Sequence, residues 1–362
     1  MLIMSGITRR QLLVSLPAAA LSGRAFAPPF SRLAAQRSDT FVAQPFRTAQ
    51  SGSATTPIRV RTISHFGLAV SDPKRSVDFY QGLFGMPVQA RVDTTTILRV
   101  GAGPQFISIA PVAANAAPSI NHYCLGIENF AVERVLSALA AHGVTKGDAV
   151  GPMKVAVTMR DGTPDLLFGD PDGIVCQLQD VSYCGGSGPL GNVCRSVEPS
   201  PKKGPLALRD LSHLTIFSSD AARSNRFYQD LFGLSIRSYQ GPTAPTLAIG
   251  PTVAFLMFAG GAPARGGAAS RPASINHACM SLDGFNPDQV LKTLETYGVT
   301  PRGDATGPVG PMKSYVTMRM ENRGGAPGGT PELYFTDPDG LLMQLQDTSY
   351  CGGSGVLGNV CK

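Results

Sequence analysis

The sequence predicts an α+β fold of tandem paired βαβββ modules, four modules making two similar domains, and three observations carry that prediction. The first is a repeat. Phe168–Cys194 reads FGDPDGIVCQLQDVSYCGGSGPLGNVC and returns as Phe335–Cys361, FTDPDGLLMQLQDTSYCGGSGVLGNVC, with six differences in 27 positions. A period this clean marks a tandem duplication. The second is that the match runs backwards from each copy. Gly151–Lys154 and Val157–Arg160 return at Gly310–Lys313 and Val316–Arg319, Ile120–His122 at Ile275–His277, and Ser64–His65 at Ser212–His213. The offset grows from 148 to 167, so the second copy carries insertions, two of them Gly-rich (Gly260–Gly267 and Arg323–Gly329) as loops usually are. The third is that a strand–helix–three-strand order occurs twice inside each copy.

Within the first copy, Thr62–Val70 alternates, with Ser64, Phe66, Leu68 and Val70 on one face and His65, Gly67 and Ala69 on the other. Asp72-Pro73 supplies a helix cap and a first-turn proline, and Val77, Tyr80, Leu83 and Phe84 form an apolar stripe that stops at Gly85. Strands follow over Val88–Asp93, Thr95–Val100 and Gln105–Ala110. The order then recurs: a strand at Ile120–Ile127 with His122 and Cys124 on one face, and a helix at Ala131–His142. Strands at Lys154–Arg160, Asp165–Phe168 and Ile174–Asp180 complete it, the last with Gln177 and Gln179 facing away from Cys176 and Leu178.

Residues 1–27 read as an export signal. Thr8-Arg9-Arg10-Gln11-Leu12-Leu13 resembles a twin-arginine motif, an apolar run follows over Leu12–Leu21, and Ala25-Phe26-Ala27 offers a cleavage site. The run is shorter than the roughly 20 apolar residues that span a bilayer, so no stable membrane anchor is expected after processing. Residues 28–57 are a Pro/Ser/Gln/Thr-rich segment expected to be a disordered tether. Residues 58–194 and 206–362 are the two domains, and 195–205 the linker. The formal net charge of +6 includes Arg9, Arg10 and Arg24 of the segment to be removed, and the rest is dispersed, which leaves no nucleic-acid footprint. The sequence leaves the oligomeric state open.

Export makes disulfides possible. Cys184/Cys194 and Cys351/Cys361 form duplicated C-x9-C pairs around Gly-rich loops, and two structural disulfides are expected, each worth about 2–3 kcal/mol by loop closure. Metal binding by two thiolates is the alternative, although structural zinc uses four N or S ligands. Cys124, Cys176 and Cys279 read as small buried hydrophobes.

An I-x-H strand start, an FY-x-x-LFG helix and a DPDG-x-x-x-Q-L terminal strand together resemble the vicinal oxygen chelate superfamily. Its members include glyoxalase I, bleomycin- and fosfomycin-resistance proteins and extradiol dioxygenases. The resemblance covers about 58–180 and 206–347. It implies that paired modules curl into a cup around a divalent metal. By position, the ligands it implies are His65, His122 and Gln177 in one cup and His213, His277 and Gln344 in the other. Independently of the family, four of the five histidines occupy these repeat-equivalent strand positions. The family's terminal-strand ligand is a glutamate, and glutamine here leaves the site one charge more positive. Three ligands on one face leave room for a bidentate substrate, with Fe(II) or Mn(II) the expected ion and Zn(II) possible.

Alternation on Lys313–Arg319 puts Lys313, Tyr315 and Arg319 on the face expected to line the cup, with Lys154 and Arg160 in the first copy. Tyr315 is the candidate acid–base residue; Lys154, Arg160, Lys313 and Arg319 are candidate substrate contacts. Two readings stay open. One is a metal-dependent dioxygenase-like enzyme acting on a small oxygen-bearing aromatic, diol or carbonyl compound. The other is a non-catalytic protein that binds a small molecule in the same cup. An isomerase or lyase is a weaker third. Exported protein should begin near Pro28 with both C-x9-C pairs bridged, and an intact mass showing four free thiols at these positions would contradict that.

Overall fold

The computed structural model describes residues 58–194, 197–260, 272–303 and 309–361. The expected export signal and tether lie outside them.

The first module is β1 (Val60–Val70), α1 (Pro73–Phe84), β2 (Val88–Val92), β3 (Thr95–Arg99) and β4 (Phe106–Pro111). The second is β5 (Ser119–Ile127), α2 (Val132–Ala141), β6 (Thr145–Lys146), β7 (Lys154–Arg160), β8 (Thr163–Gly169) and β9 (Val175–Asp180). The second copy repeats this with β10 (Leu208–Ser218), α3 (Ala221–Phe232), β11 (Ile236–Tyr239), β12 (Pro245–Ala248) and β13 (Phe255–Gly260). It continues with β14 (Ser274–Leu282), α4 (Pro287–Thr296), β15 (Thr300–Pro301), β16 (Lys313–Arg319), β17 (Thr330–Thr336) and β18 (Leu342–Asp347). The two-residue strands β6 and β15 are additions to the expected pattern, too short to leave a periodic signal. The helix starts follow from sequence: Asp72 and Asp220 accept the backbone N–H of Arg75 and Arg223, both at 3.0 Å.

Each copy forms one nine-stranded sheet, in the order β2-β3-β4-β1-β5-β9-β8-β7-β6 and its equivalent. The two modules of a copy therefore pair with each other, through antiparallel β1–β5 and β10–β14. The sheet is curled. The loop closed by the Cys184–Cys194 disulfide accepts a hydrogen bond from Gln89 on β2 and another from Arg160 on β7, strands near opposite flanks. A flat sheet would hold those strands about 30 Å apart. The Cys351–Cys361 loop does the same between Ser238 on β11 and Arg319 on β16.

The copies form separate sheets but share one core. Phe79 and Phe84 of α1 pack on Phe335 of β17 at 6.3 and 6.0 Å between ring centres. Phe227 and Phe232 of α3 pack on Phe168 of β8, both at 6.3 Å. Tyr80 donates to Asp337 and Tyr228 to Asp170, each at 3.3 Å. One continuous apolar core runs through both copies. Backbone approaches are equally reciprocal: a Cβ added at Gly101 would lie 2.0 Å from the Arg209 carbonyl oxygen, and one at Gly250 1.9 Å from that of Arg61. Surface clamps finish the contact, Arg75 with Asp339 at 2.6 Å and Arg223 with Asp172 at 2.5 Å.

A fragment of residues 206–362 would expose the Phe168-facing side of α3 and lose α1 from Phe335. Each buried aromatic contributes roughly 1.5–3 kcal/mol, so four or five of them approach the whole stability of a domain. The fragment should aggregate or melt without a cooperative transition, whereas 58–361 should melt cooperatively; differential scanning calorimetry on both separates the outcomes.

Candidate metal centre

His65 lies on β1, His122 on β5 and Gln177 on β9, three adjacent strands, so the fold brings the first expected set together. The Nε2 atoms of His65 and His122 are 3.2 Å apart, and the Gln177 amide neighbours His65 while its Nε2 donates to Asp165 at 3.3 Å. In the second copy, His213 on β10, His277 on β14 and Gln344 on β18 converge in the same way. His213 Nε2 lies 3.0 Å from Gln344 Oε1. Nε2 of His277 and Nε2 of Gln344 are buried without a partner in hydrogen-bond geometry. The copies differ at the residue facing the second histidine. A Cβ at Gly67 would sit 2.1 Å from the His122 ring, whereas the equivalent residue opposite His277 is Thr215.

These distances fit a divalent ion. Two donors about 2.1 Å from a metal and at right angles to each other are about 3.0 Å apart, which is the separation found in both copies. An ordinary hydrogen bond has the same length, so the orphaned His277 nitrogen carries more weight: a buried polar atom without a partner asks for one. The chemistry also fits, because two imidazoles and an amide oxygen are neutral ligands for a borderline cation.

Burial keeps the imidazoles neutral. It pushes His122 and His277 down to about 4. His65 and His213 fall well below the usual range, through burial first and then the neighbouring His122 and His277, with hydrogen bonds from Gln177 and Gln344 opposing. Stacking closes the other faces. His65 lies flat on Phe106 at 4.2 Å and His213 on Phe255 at 4.3 Å, with Tyr183 and Tyr350 tilted beside them at 5.8 and 5.5 Å. The two tyrosines thus border the imidazoles, beyond packing the Cys loops.

The cup of the second copy opens into a cavity of about 760 Å³ lined by His277, Tyr315, Thr317, Glu332 and Tyr334. Tyr315 stacks on Tyr334 at 5.2 Å, and Tyr334 meets the His277 ring edge-on at 5.3 Å. Tyr315 is thus inside the cavity, two rings away from the imidazole. The equivalent cross-strand pair in the first copy is Ala156 and Leu167.

The two arginines sit elsewhere than expected. Arg319 is fully buried, paired with Glu332 at 2.7 Å and donating to the carbonyls of Gly324 and Gly353 at 2.7 and 2.8 Å. Arg160 pairs with Asp165 at 3.2 Å and donates to Gly186 O and the Tyr183 hydroxyl. These guanidinium groups hold the disulfide loops to the sheet, which corrects their assignment as substrate contacts. Lys154 and Lys313 lie at the sheet edge, where each ammonium donates at 2.8 Å to a threonine on the adjoining strand, Thr145 or Thr300. Sequence reasoning missed Glu332 and Tyr334. The inward alternation of β17 beside Gln344 could have found both. The disulfide reading of Cys184/Cys194 and Cys351/Cys361 holds, and no group of three His, Cys, Asp or Glu gathers around a metal-sized space among the described residues.

The glyoxalase/bleomycin resistance protein/dioxygenase superfamily model matches residues 62–178 and 210–345, most of the chain. The chain belongs to that superfamily. Among solved structures of similar fold is the Mn(II)-bound glyoxalase from Novosphingobium aromaticivorans, 15% identical with a TM-score of 0.54 over 80% of this chain and 82% of that one. Another is a 2,3-dioxygenase from Pseudomonas sp. KL28, 15% identical, TM-score 0.53, covering 80% and 93%. Homoprotocatechuate 2,3-dioxygenase from Arthrobacter globiformis is also 15% identical, with a TM-score of 0.54 over 80% and 81%. At such identity the likeness is one of fold. No curated protein matches the chain in sequence.

The buried groups set a pH dependence. Each imidazole has a folded-state value below its ordinary 6.5, so its contribution is fully present above 6.5 and is lost as pH falls towards about 4. Asp170 and Asp337 run the other way: burial raises them from 3.8 to about 6, and their contribution is lost as pH rises through 6. Burial raises Asp165 as well, but four imidazoles outweigh three carboxyls, so the imidazoles win. Metal-free protein should lose stability between pH 6.5 and 4.5, read as a falling urea midpoint; a midpoint that rises over this range would contradict the balance.

Proposed function

We propose that this protein is an exported, metal-dependent, dioxygenase-like enzyme acting on a small oxygen-bearing aromatic, diol or carbonyl compound. The observation that carries the reading is the convergence of two imidazoles and a glutamine in each copy, with His277 Nε2 buried and unpartnered beside an open, tyrosine-lined cavity. His213, His277 and Gln344 would hold the ion, and His65, His122 and Gln177 would hold another in the first cup. When bound, an Fe(II) or Mn(II) ion, with Zn(II) as the alternative, supplies a Lewis acid able to hold two neighbouring substrate oxygens.

The chain's own residues supply the rest. Tyr315 and Tyr334 offer an aromatic wall. Burial raises Tyr315, against the opposing charge of Arg302, and so keeps its phenol protonated as a donor. Glutamine in place of a carboxylate leaves one more positive charge for an anionic substrate to balance. The two disulfides and the twin-arginine-like segment Thr8–Leu13 suit an oxidising compartment outside the cytoplasm.

One observation favours the second reading, a binding protein without turnover. The fifth histidine, His142, ends α2 with Nδ1 on Ala138 O at 2.9 Å, so it lends no third imidazole to the cup.

Mn(II) titration of the metal-free protein, followed by oxygen uptake with catechol as probe, tests both. Gln344→Glu should tighten Mn(II) about tenfold, equivalent to roughly 1.4 kcal/mol, and Gln344→Leu should abolish binding in that cup without lowering the melting temperature of the metal-free protein. Metal bound with no uptake selects the binding protein. Equal affinity in wild type and both variants removes Gln344 from the ligand set.

A further inference from the structure

The strand registers contain an irregularity that the alternation argument did not foresee. Along β1, Ile63 pairs with Leu125 and His65 with Cys124, so Ser64 is an extra residue with no partner opposite. Along β5, His122 pairs with Gly67 and Ile120 with Leu68, so Asn121 is extra as well. The second copy repeats both: Leu211 pairs with Met280 and His213 with Cys279, leaving Ser212, while His277 and Ile275 pair with Thr215 and Ile216, leaving Asn276. Every cup histidine is thus preceded by a bulge residue, and bulges re-aim side chains. This is why Ser64 leaves the greasy face on which strict alternation had put it.

Each bulge residue turns its oxygen onto the Nδ1 of the histidine that follows. Asn121 Oδ1 lies 2.7 Å from His122 Nδ1, and Asn276 Oδ1 lies 2.7 Å from His277 Nδ1. Ser64 Oγ lies 3.3 Å from His65 Nδ1, and Ser212 Oγ 3.2 Å from His213 Nδ1. An amide oxygen only accepts, so His122 and His277 must donate from Nδ1. The serine arms carry no such constraint: a hydroxyl can donate or accept, and His213 Nε2 faces Gln344 Oε1 at 3.0 Å, another oxygen that only accepts.

We infer that the bulge residues Asn121 and Asn276 are positioning residues that fix His122 and His277 as Nδ1–H tautomers and aim their Nε2 lone pairs into the cup. The inference rests on the reading that these imidazoles are metal ligands, and it deepens that reading. Free neutral histidine prefers the opposite tautomer, with hydrogen on Nε2, which cannot ligate through that atom. The bulges therefore do for these histidines what carboxylates and carbonyls do for metal-bound histidines generally. With His122 held in that form, the 3.2 Å contact between the two Nε2 atoms is a hydrogen bond donated by His65, and the 3.0 Å contact from His213 Nε2 to Gln344 Oε1 is donated by His213.

The test reads His277, whose Nε2 has no partner in hydrogen-bond geometry. Long-range ¹H–¹⁵N correlation spectra of the metal-free protein should show His277 protonated at Nδ1 at pH 7.5. Asn276→Leu should convert it to the Nε2–H form and weaken Mn(II) binding in the second cup by about 10–100-fold. Asn276→Asp, which keeps the acceptor, should retain the Nδ1–H form and bind Mn(II) at least as tightly as wild type. Asn276 is only partly buried, so neither change should shift the melting temperature of the metal-free protein. Nε2–H in wild type, or Nδ1–H surviving in Asn276→Leu, would overturn the inference. If wild type binds no Mn(II), the proposed function fails, and the spectra still decide the tautomer.

Discussion

Phe79 and Phe84 against Phe335, with Phe227 and Phe232 against Phe168, join the two copies more firmly than the linker does. A nine-stranded sheet has two faces to cover, and one long helix per module cannot screen its own sheet completely. Each copy lends the flank of its first helix to the other, so the outer faces disappear into one core while the inner faces stay free to form cups. The same exchange reaches the sites. Tyr80 and Tyr228 hold Asp337 and Asp170, and these carboxylates cap the turns that launch β18 and β9, the strands carrying Gln344 and Gln177.

Much of this was legible in the sequence, for identifiable reasons. The duplication gave the modules, period-two alternation gave the inward faces of β5 and β9, and paired cysteines at equal spacing gave the loops. His65, His122, Gln177 and their counterparts converge because strand position alone placed them. What stayed hidden depended on information that periodicity does not carry. A one-residue bulge moves Ser64 from one face to another, and nothing local in Ile-Ser-His announces it. The repeated Ser-His and Asn-His pairs were visible, but their meaning lay in a register set by a strand some sixty residues away. The contacts that join the two domains run between helices and turns distant in sequence, where no local pattern reveals them. Lys154, Arg160, Lys313 and Arg319 faced the right general direction, but a long side chain ends wherever its nearest acceptor lies.

Two ion pairs set the electrostatic character of the cups. Arg319 with Glu332, fully buried, and Arg160 with Asp165, partly buried, place opposite charges close together, so neither contributes a strong net field. Removing one partner would leave the other uncompensated, at a cost of about 3–5 kcal/mol for a fully buried pair. The pairs also brace the Cys loops, so charge neutrality and cup shape are maintained by the same atoms. Uncharged imidazoles and amides, with the neighbouring charges paired, leave the cups without net charge of their own.

Gly67 and Thr215 face the second imidazole of their respective cups, and they differ by a branched side chain. Where Gly67 stands, a single added carbon would run into the ring; across the repeat, the threonine is already accommodated. The two halves have therefore lost their interchangeability. A change that one copy absorbs silently can disable the other, and a variant's effect belongs to the copy in which it occurs. For a gene that began as two equal halves, this is how drift becomes one-way: once each site has adjusted to its own neighbour, swapping residues between copies no longer restores the ancestor.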